Sequence, residues 1–187
     1  MKFIHTGDIH WGMSPDSDKP WSRERARDIR DTFAAIIEKT RKTGADCLFI
    51  AGDLFHRQPL QKDLKEVNYL FSTIPGVRVI IIAGNHDRIR LSSAVLSFSW
   101  CPNVTFIDSE ELTSYYFRDI NTEVTGQLPY CGTRSRVNQL MHARFTPDPY
   151  PIGHGRLEPH ADRQGRAGRL RIFLHSAWPY PQAGSSD

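Results

Sequence analysis

At 187 residues, 39% of them hydrophobic and 24% charged, the chain has the composition of one folded domain, and its formal charge of +3 neither demands nor excludes a nucleic-acid partner. Three cysteines (Cys47, Cys101 and Cys131) without a CxxC pair exclude a disulfide scaffold and argue for reduced thiols. The apolar start "MKFIHT" is too short for a signal peptide and no later stretch approaches a membrane span, so a soluble cytoplasmic protein is expected.

In chain order, "KFIHT" (2–6), "CLFIA" (47–51) and "VRVIIIA" (77–83) are continuous apolar runs of strand length, as expected of strands buried on both faces of a helix-covered sheet. Between the first two, Ala26, Ile29, Phe33, Ile36 and Ile37 recur at helical spacing and predict a helix over Ser22 to Thr43, closed by Gly44. A second helix is predicted from about Lys62 to Thr73, with Leu64, Val67, Tyr69, Leu70 and Phe71 as its apolar side and "IPG" as its stop. The order β-α-β-α-β predicts a layered α/β fold. "LSSAVLSFSW" then reads as a short helix, and "NVTFID", "LTSYYF" and "INTEVTG" as further strands. From about Gln127 to Asp187 there is no lysine, Arg, Pro, Gly and His crowd together, and apolar periodicity is absent until "LRIFLH", a composition that reads as poorly ordered.

Each of the three strong strands ends in polar residues: "GDIH" brings Asp8 and His10, "GDLFHR" brings Asp53 and "GNHD" brings Asn85, His86 and Asp87. Sites in open α/β sheets form at the carboxyl ends of the strands. Carboxylates gathered there repel one another and cost several kcal/mol each to bury, unless cations neutralise them. Asp and Asn oxygens mixed with imidazole suit a borderline divalent ion such as manganese, iron or zinc. An isolated Asp after a strand is more often a turn or helix-capping residue, so the reading rests on the set and its order. His5 alternates with core residues and reads as structural, whereas His56 either touches substrate or faces solvent.

As a set, "GDIH", "GDLFHR" and "GNHD" resemble the first three motifs of the calcineurin-like metallophosphoesterases. The forms "DIHWGM" and "AGDLFHRQP" resemble the DNA-exonuclease branch, which includes the SbcD-type nuclease subunits. The resemblance covers residues 1–126. It implies a layered sheet with flanking helices, incomplete on its C-terminal side. It also implies two divalent metal ions, Mn(2+) by family habit, with Asp8 and His10 on the first, Asp53 bridging and Asn85 on the second. His86 would face the scissile phosphate and Asp87 would orient it, with hydrolysis by a water that two metals activate. The implied substrate is DNA and the implied partner an SbcC-like ATPase subunit, with a homodimer left open.

Two further family motifs, a histidine after a fourth core strand and then a G-H-x-H pair, are not matched. "IGHGR" (152–156) lacks the second histidine and precedes "RIFLHSAW" (171–178), the reverse of the family order. Reading the codons of Ile172 to Gly184 one base later permits FSYIALGHIHKP, which contains that pair. Its glycine is forced, because Trp178 has a single codon and every codon of Pro179 begins with C. The expectation is a nuclease domain over 1–126 and a tail over 127–187 that is out of frame, leaving the enzyme impaired or inactive and part of its core uncovered. Two other readings stay open: a phosphoesterase acting on small phosphoesters or phosphoproteins, and a non-catalytic or nucleic-acid-binding pseudo-enzyme whose arginine-rich tail is a tether.

Overall fold

The computed structural model describes residues 1–87, 93–109 and 111–128, together with the backbone of two later strands, 140–145 and 172–174. Four strands, β1 (Phe3–Thr6), β2 (Cys47–Ala51), β3 (Arg78–Ile82) and β4 (Val104–Ile107), form a parallel sheet in chain order. Its crossovers carry α1 (Ser22–Thr43), α2 (Gln61–Ser72) and the single-turn α3 (Ala94–Ser97). β5 (Thr113–Phe117), β6 (Thr122–Gln127), β7 (Leu140–Phe145) and β8 (Ile172–Leu174) form an antiparallel meander.

The two faces of β2 and β3 explain their unbroken apolar runs. Leu48, Ile50, Val79 and Ile81 point to the helices and pack with Phe33 and Ile37 of α1 and with Leu64, Val67 and Phe71 of α2. Cys47, Phe49, Ala51, Ile80 and Ile82 point the other way, against Ile107, Val124 and Leu128. The result is helices, parallel sheet and antiparallel sheet in three layers. Gly126 is the point of closest approach, since a Cβ there would run into the Ile107 side chain. α1 ends as its glycine predicts: Gly44 takes φ 58°, its N–H donates to the Arg41 carbonyl, and that of Ala45 to Thr40.

Two expectations differ from what is found. β1 is not buried on both faces, because it is the edge strand of the sheet, and its exposure alternates with Phe3 and His5 outward. His5 is therefore no core residue. Tyr69, assigned to the apolar side of α2, is 70% exposed, because Leu64, Val67 and Phe71 define the buried stripe and Tyr69 falls off it. Cys47 and Cys101 are free thiols, and burial pushes Cys47 up to about 12. Cys131 lies outside the described residues, as does most of 127–187, whose described parts are the end of β6, Leu128, β7 and β8. Among the described residues no helix is long and apolar enough to cross a membrane.

Candidate metal centre

The loops leaving β1 and β2 run side by side beyond the sheet, so the two carboxylates arrive in register. Asp8 N–H donates to the Gly52 carbonyl at 3.1 Å, His10 N–H to Asp53 at 2.9 Å and Trp11 N–H to Leu54 at 2.8 Å, and His56 N–H returns to Trp11 at 3.0 Å. Gly52 N–H in turn donates to Ile82 at 2.9 Å, which ties this pair to the end of β3. Two glycines let the three ends close up. A Cβ on Gly7 would lie 2.6 Å from the Ala51 carbonyl oxygen, and one on Gly84 would occupy the place of the Asp53 carboxylate.

Asp8, His10 and Asp53 each offer a ligand atom, and these atoms lie within 4.8 Å of one another. All three residues hold positive φ: 52° for Asp8, 52° for His10 and 47° for Asp53. Non-glycine residues in that region cost of order 1 kcal/mol or more each, and such strain persists where a site requires the geometry. Asp53 is 5% exposed. Its Oδ1 accepts the His86 N–H at 2.9 Å and its Oδ2 lies 4.0 Å from His10 Nε2. Desolvation, followed by the charge of Asp53, raises the Asp8 carboxyl above its ordinary value. Two acids are thus held close at an energetic cost, which a divalent cation would remove.

The third strand end adds Asn85, His86 and Asp87. Asn85 is exposed, between Gly84, packed on Asp53, and His86, bonded to it. Asp87 is buried, and its oxygens accept the N–H groups of Gly84 and of Phe55, the latter at 3.1 Å. It therefore braces the "GNHD" loop against the β2 loop through the backbone. Burial pushes its carboxyl up to about 6, against the pull of those two donors.

The residue the sequence reading left undecided is His56. Its ring stacks on His86 at 5.1 Å and meets His10 edge-on at 5.3 Å, and the ligand nitrogens of His10, His56 and His86 form a second cluster within 4.8 Å. Desolvation and the neighbouring His10 and His86 lower its pKa, which keeps the imidazole neutral and able to coordinate. The signal was present in "GDLFH": three residues after Asp53, one turn of loop returns His56 to the same edge. Oxygen and imidazole donors in these proportions fit a borderline divalent ion.

Comparison with known proteins agrees with this chemistry. The model of the calcineurin-like phosphoesterase family matches residues 1–180. The DNA double-strand break repair protein Mre11 of Archaeoglobus fulgidus is 38% identical over 92 residues, 47% of this chain and 20% of the relative. That of Methanopyrus kandleri is 34% identical over 102 residues, 53% of this chain and 22% of the relative. These matches therefore span only about a fifth of the relatives' length. A crystal structure of Pseudomonas putida nuclease MPE is similar at a TM-score of only 0.40 and 14% identity, over 75% of this chain and 83% of that one. The chain belongs to the calcineurin-like phosphoesterase family, hydrolases of phosphoester bonds that use divalent metal ions.

Proposed function

We propose that this chain derives from a manganese-dependent DNA exonuclease, a phosphodiesterase in which Asp8, His10, Asp53 and Asn85 hold two divalent ions and His56 and His86 attend the phosphate. The observation that carries the reading is the strained convergence of Asp8, His10 and Asp53 on one point. A divalent ion bound there supplies a Lewis acid that polarises phosphoryl oxygens and makes water acidic near neutrality. The protein's own groups do the rest. While the charges of Asp8 and Asp53 stand unbalanced they repel any phosphate anion, so metal and substrate binding are coupled. His86 Nδ1 lies 3.2 Å from the His56 carbonyl oxygen, which can only accept, so Nδ1 carries hydrogen and Nε2 is left for the phosphate or the departing oxygen. His10 Nδ1 and His56 Nδ1 lie 3.4 Å apart, so one must carry hydrogen and the other not, a pairing that fixes both rings. Asp87 acts as a positioning residue through the loop backbone.

DNA as substrate is supported by the names of the relatives and by the "GDLFHR" form, and an SbcC-like ATPase subunit as partner by the resemblance alone. The same reading makes 1–126 the nuclease part and 127–187 an out-of-frame tail that brings no G-H-x-H pair, so turnover is low or nil. A hydrolysis assay in manganese, comparing bis-para-nitrophenyl phosphate with DNA ends, tests this. Turnover at the rate of an intact family member would sink the impaired reading, and nucleotide sequence from codon 120 onward that lacks G-H-x-H one base along would sink the frameshift.

A further inference from the structure

A cavity of about 190 Å³ is lined by Trp11, Arg30, Arg57, Leu60, Lys62 and Asp63 among others. It is built from the residues that follow the ligands: Trp11 comes after His10, Arg57 after His56, and the backbone bridge of Trp11 to Phe55 holds the two segments together. The wall carries three cations against one carboxylate. Arg30 is set by its pairing with Glu66 at 3.2 Å and lies over the Trp11 ring at 5.2 Å. Asp63 is partly engaged, its Oδ2 accepting the Leu60 N–H at 3.0 Å. Among the described residues neither Arg57 nor Lys62 has a carboxylate partner, and both are exposed. Lys62 also sits in the first turn of α2, a helix of 12 residues whose amide dipole adds positive potential.

One further feature of the wall lacks a partner. Trp11 is 5% exposed and its indole Nε1 is buried with no acceptor. A buried donor in that state is a deficit that an acceptor oxygen would remove.

We propose that this cavity is a second phosphate site, which takes a neighbouring phosphate of the strand held at the metal centre, with Arg57 and Lys62 as its main cations. It rests on the phosphodiesterase reading and deepens it. Trp11 and Arg57 directly follow His10 and His56 in the chain, so the two sites share neighbouring backbone. A polynucleotide fills both sites, whereas a small phosphoester fills one. The cavity would therefore set the preference for strands over the small esters of the alternative reading.

The test reads binding, so it does not need turnover. Anisotropy of labelled oligothymidylate is followed over a salt series in manganese, for the native chain, Arg57→Ala with Lys62→Ala, the charge-keeping Arg57→Lys with Lys62→Arg, and a distant control, Arg41→Ala with Lys42→Ala. Each phosphate contact contributes about 0.7 to the slope of log affinity against log salt for single strands, so the alanine pair, which removes this one contact, should flatten it by about 0.7. The charge-keeping pair and the control should hold the native slope, and manganese affinity and binding of bis-para-nitrophenyl phosphate should be equal in all four. An unchanged slope in the alanine pair overturns the proposal. A native chain that binds manganese but no oligonucleotide overturns it while the metal centre stands, and one that binds no manganese takes both down.

Discussion

The parallel and antiparallel sheets are built to different rules. In β2 every residue is buried and in β3 all but Arg78, and the loops beyond these strands carry Asp53 and the "GNHD" residues. In β6 burial alternates residue by residue, and β5 is half-buried throughout. β2 and β3 are covered on both faces and pinned in register, so the loops beyond them can hold strained, mutually repelling groups in place. The antiparallel sheet supplies a lid of apolar side chains from one face, and among its described side chains none belongs to the candidate site. Rigidity is concentrated where the chemistry needs it.

The sharpest way to break this contrast is at the site. Thermal unfolding of the native chain in manganese at 100 times Kd should gain about 2.7 kcal/mol, or roughly 5–10 °C for a chain of this size. Asp53→Ala should lose that gain, and a gain that survives would mean the ion sits elsewhere. Next comes the core between the sheets. Phe49→Ala, in the fully buried β2, should cost about 3–5 kcal/mol in denaturant unfolding, and Phe117→Ala, half-buried in β5, about 1–2 kcal/mol. Equal costs would mean that both sheets are equally packed. Smallest is the tie between them: Arg78 of β3 pairs with Asp119 through Nε and Nη2, each at 2.8 Å, and lies 5.9 Å from the Phe117 ring centre. Being partly exposed, the pair should be worth at most about 1 kcal/mol by a double-mutant cycle with Asp119→Ala.

The same contrast governs what could be read from the sequence. Runs such as "CLFIA" and the 3.6-residue repeat of α1 have one interpretation because burial on two faces, or along one stripe, leaves little choice of residue, and α1 spans Ser22–Thr43 as its pattern predicts. β1 departs from its pattern because "KFIHT" has the composition of a buried strand, but its place at the sheet edge depends on pairing, which a local pattern does not encode. Tyr69 misled for a related reason, as an apolar side chain beside a stripe is not part of it. At the site, the convergence of Asp8, His10 and Asp53 is legible from two strand ends and their glycines. What was not legible is the backbone pairing of the two loops that swings His56 toward His10 and His86, and the use of both Asp87 oxygens on backbone N–H groups, because these depend on positive-φ turns that only three-dimensional packing selects.

The central claim is that the crowded carboxylates exist to hold a divalent ion. Crystals soaked in manganese and measured at its absorption edge test it most directly. The account predicts anomalous peaks bounded by Asp8, His10 and Asp53, with a neighbouring peak toward Asn85. An ordered manganese elsewhere on the surface, with nothing between Asp8 and Asp53, would contradict it.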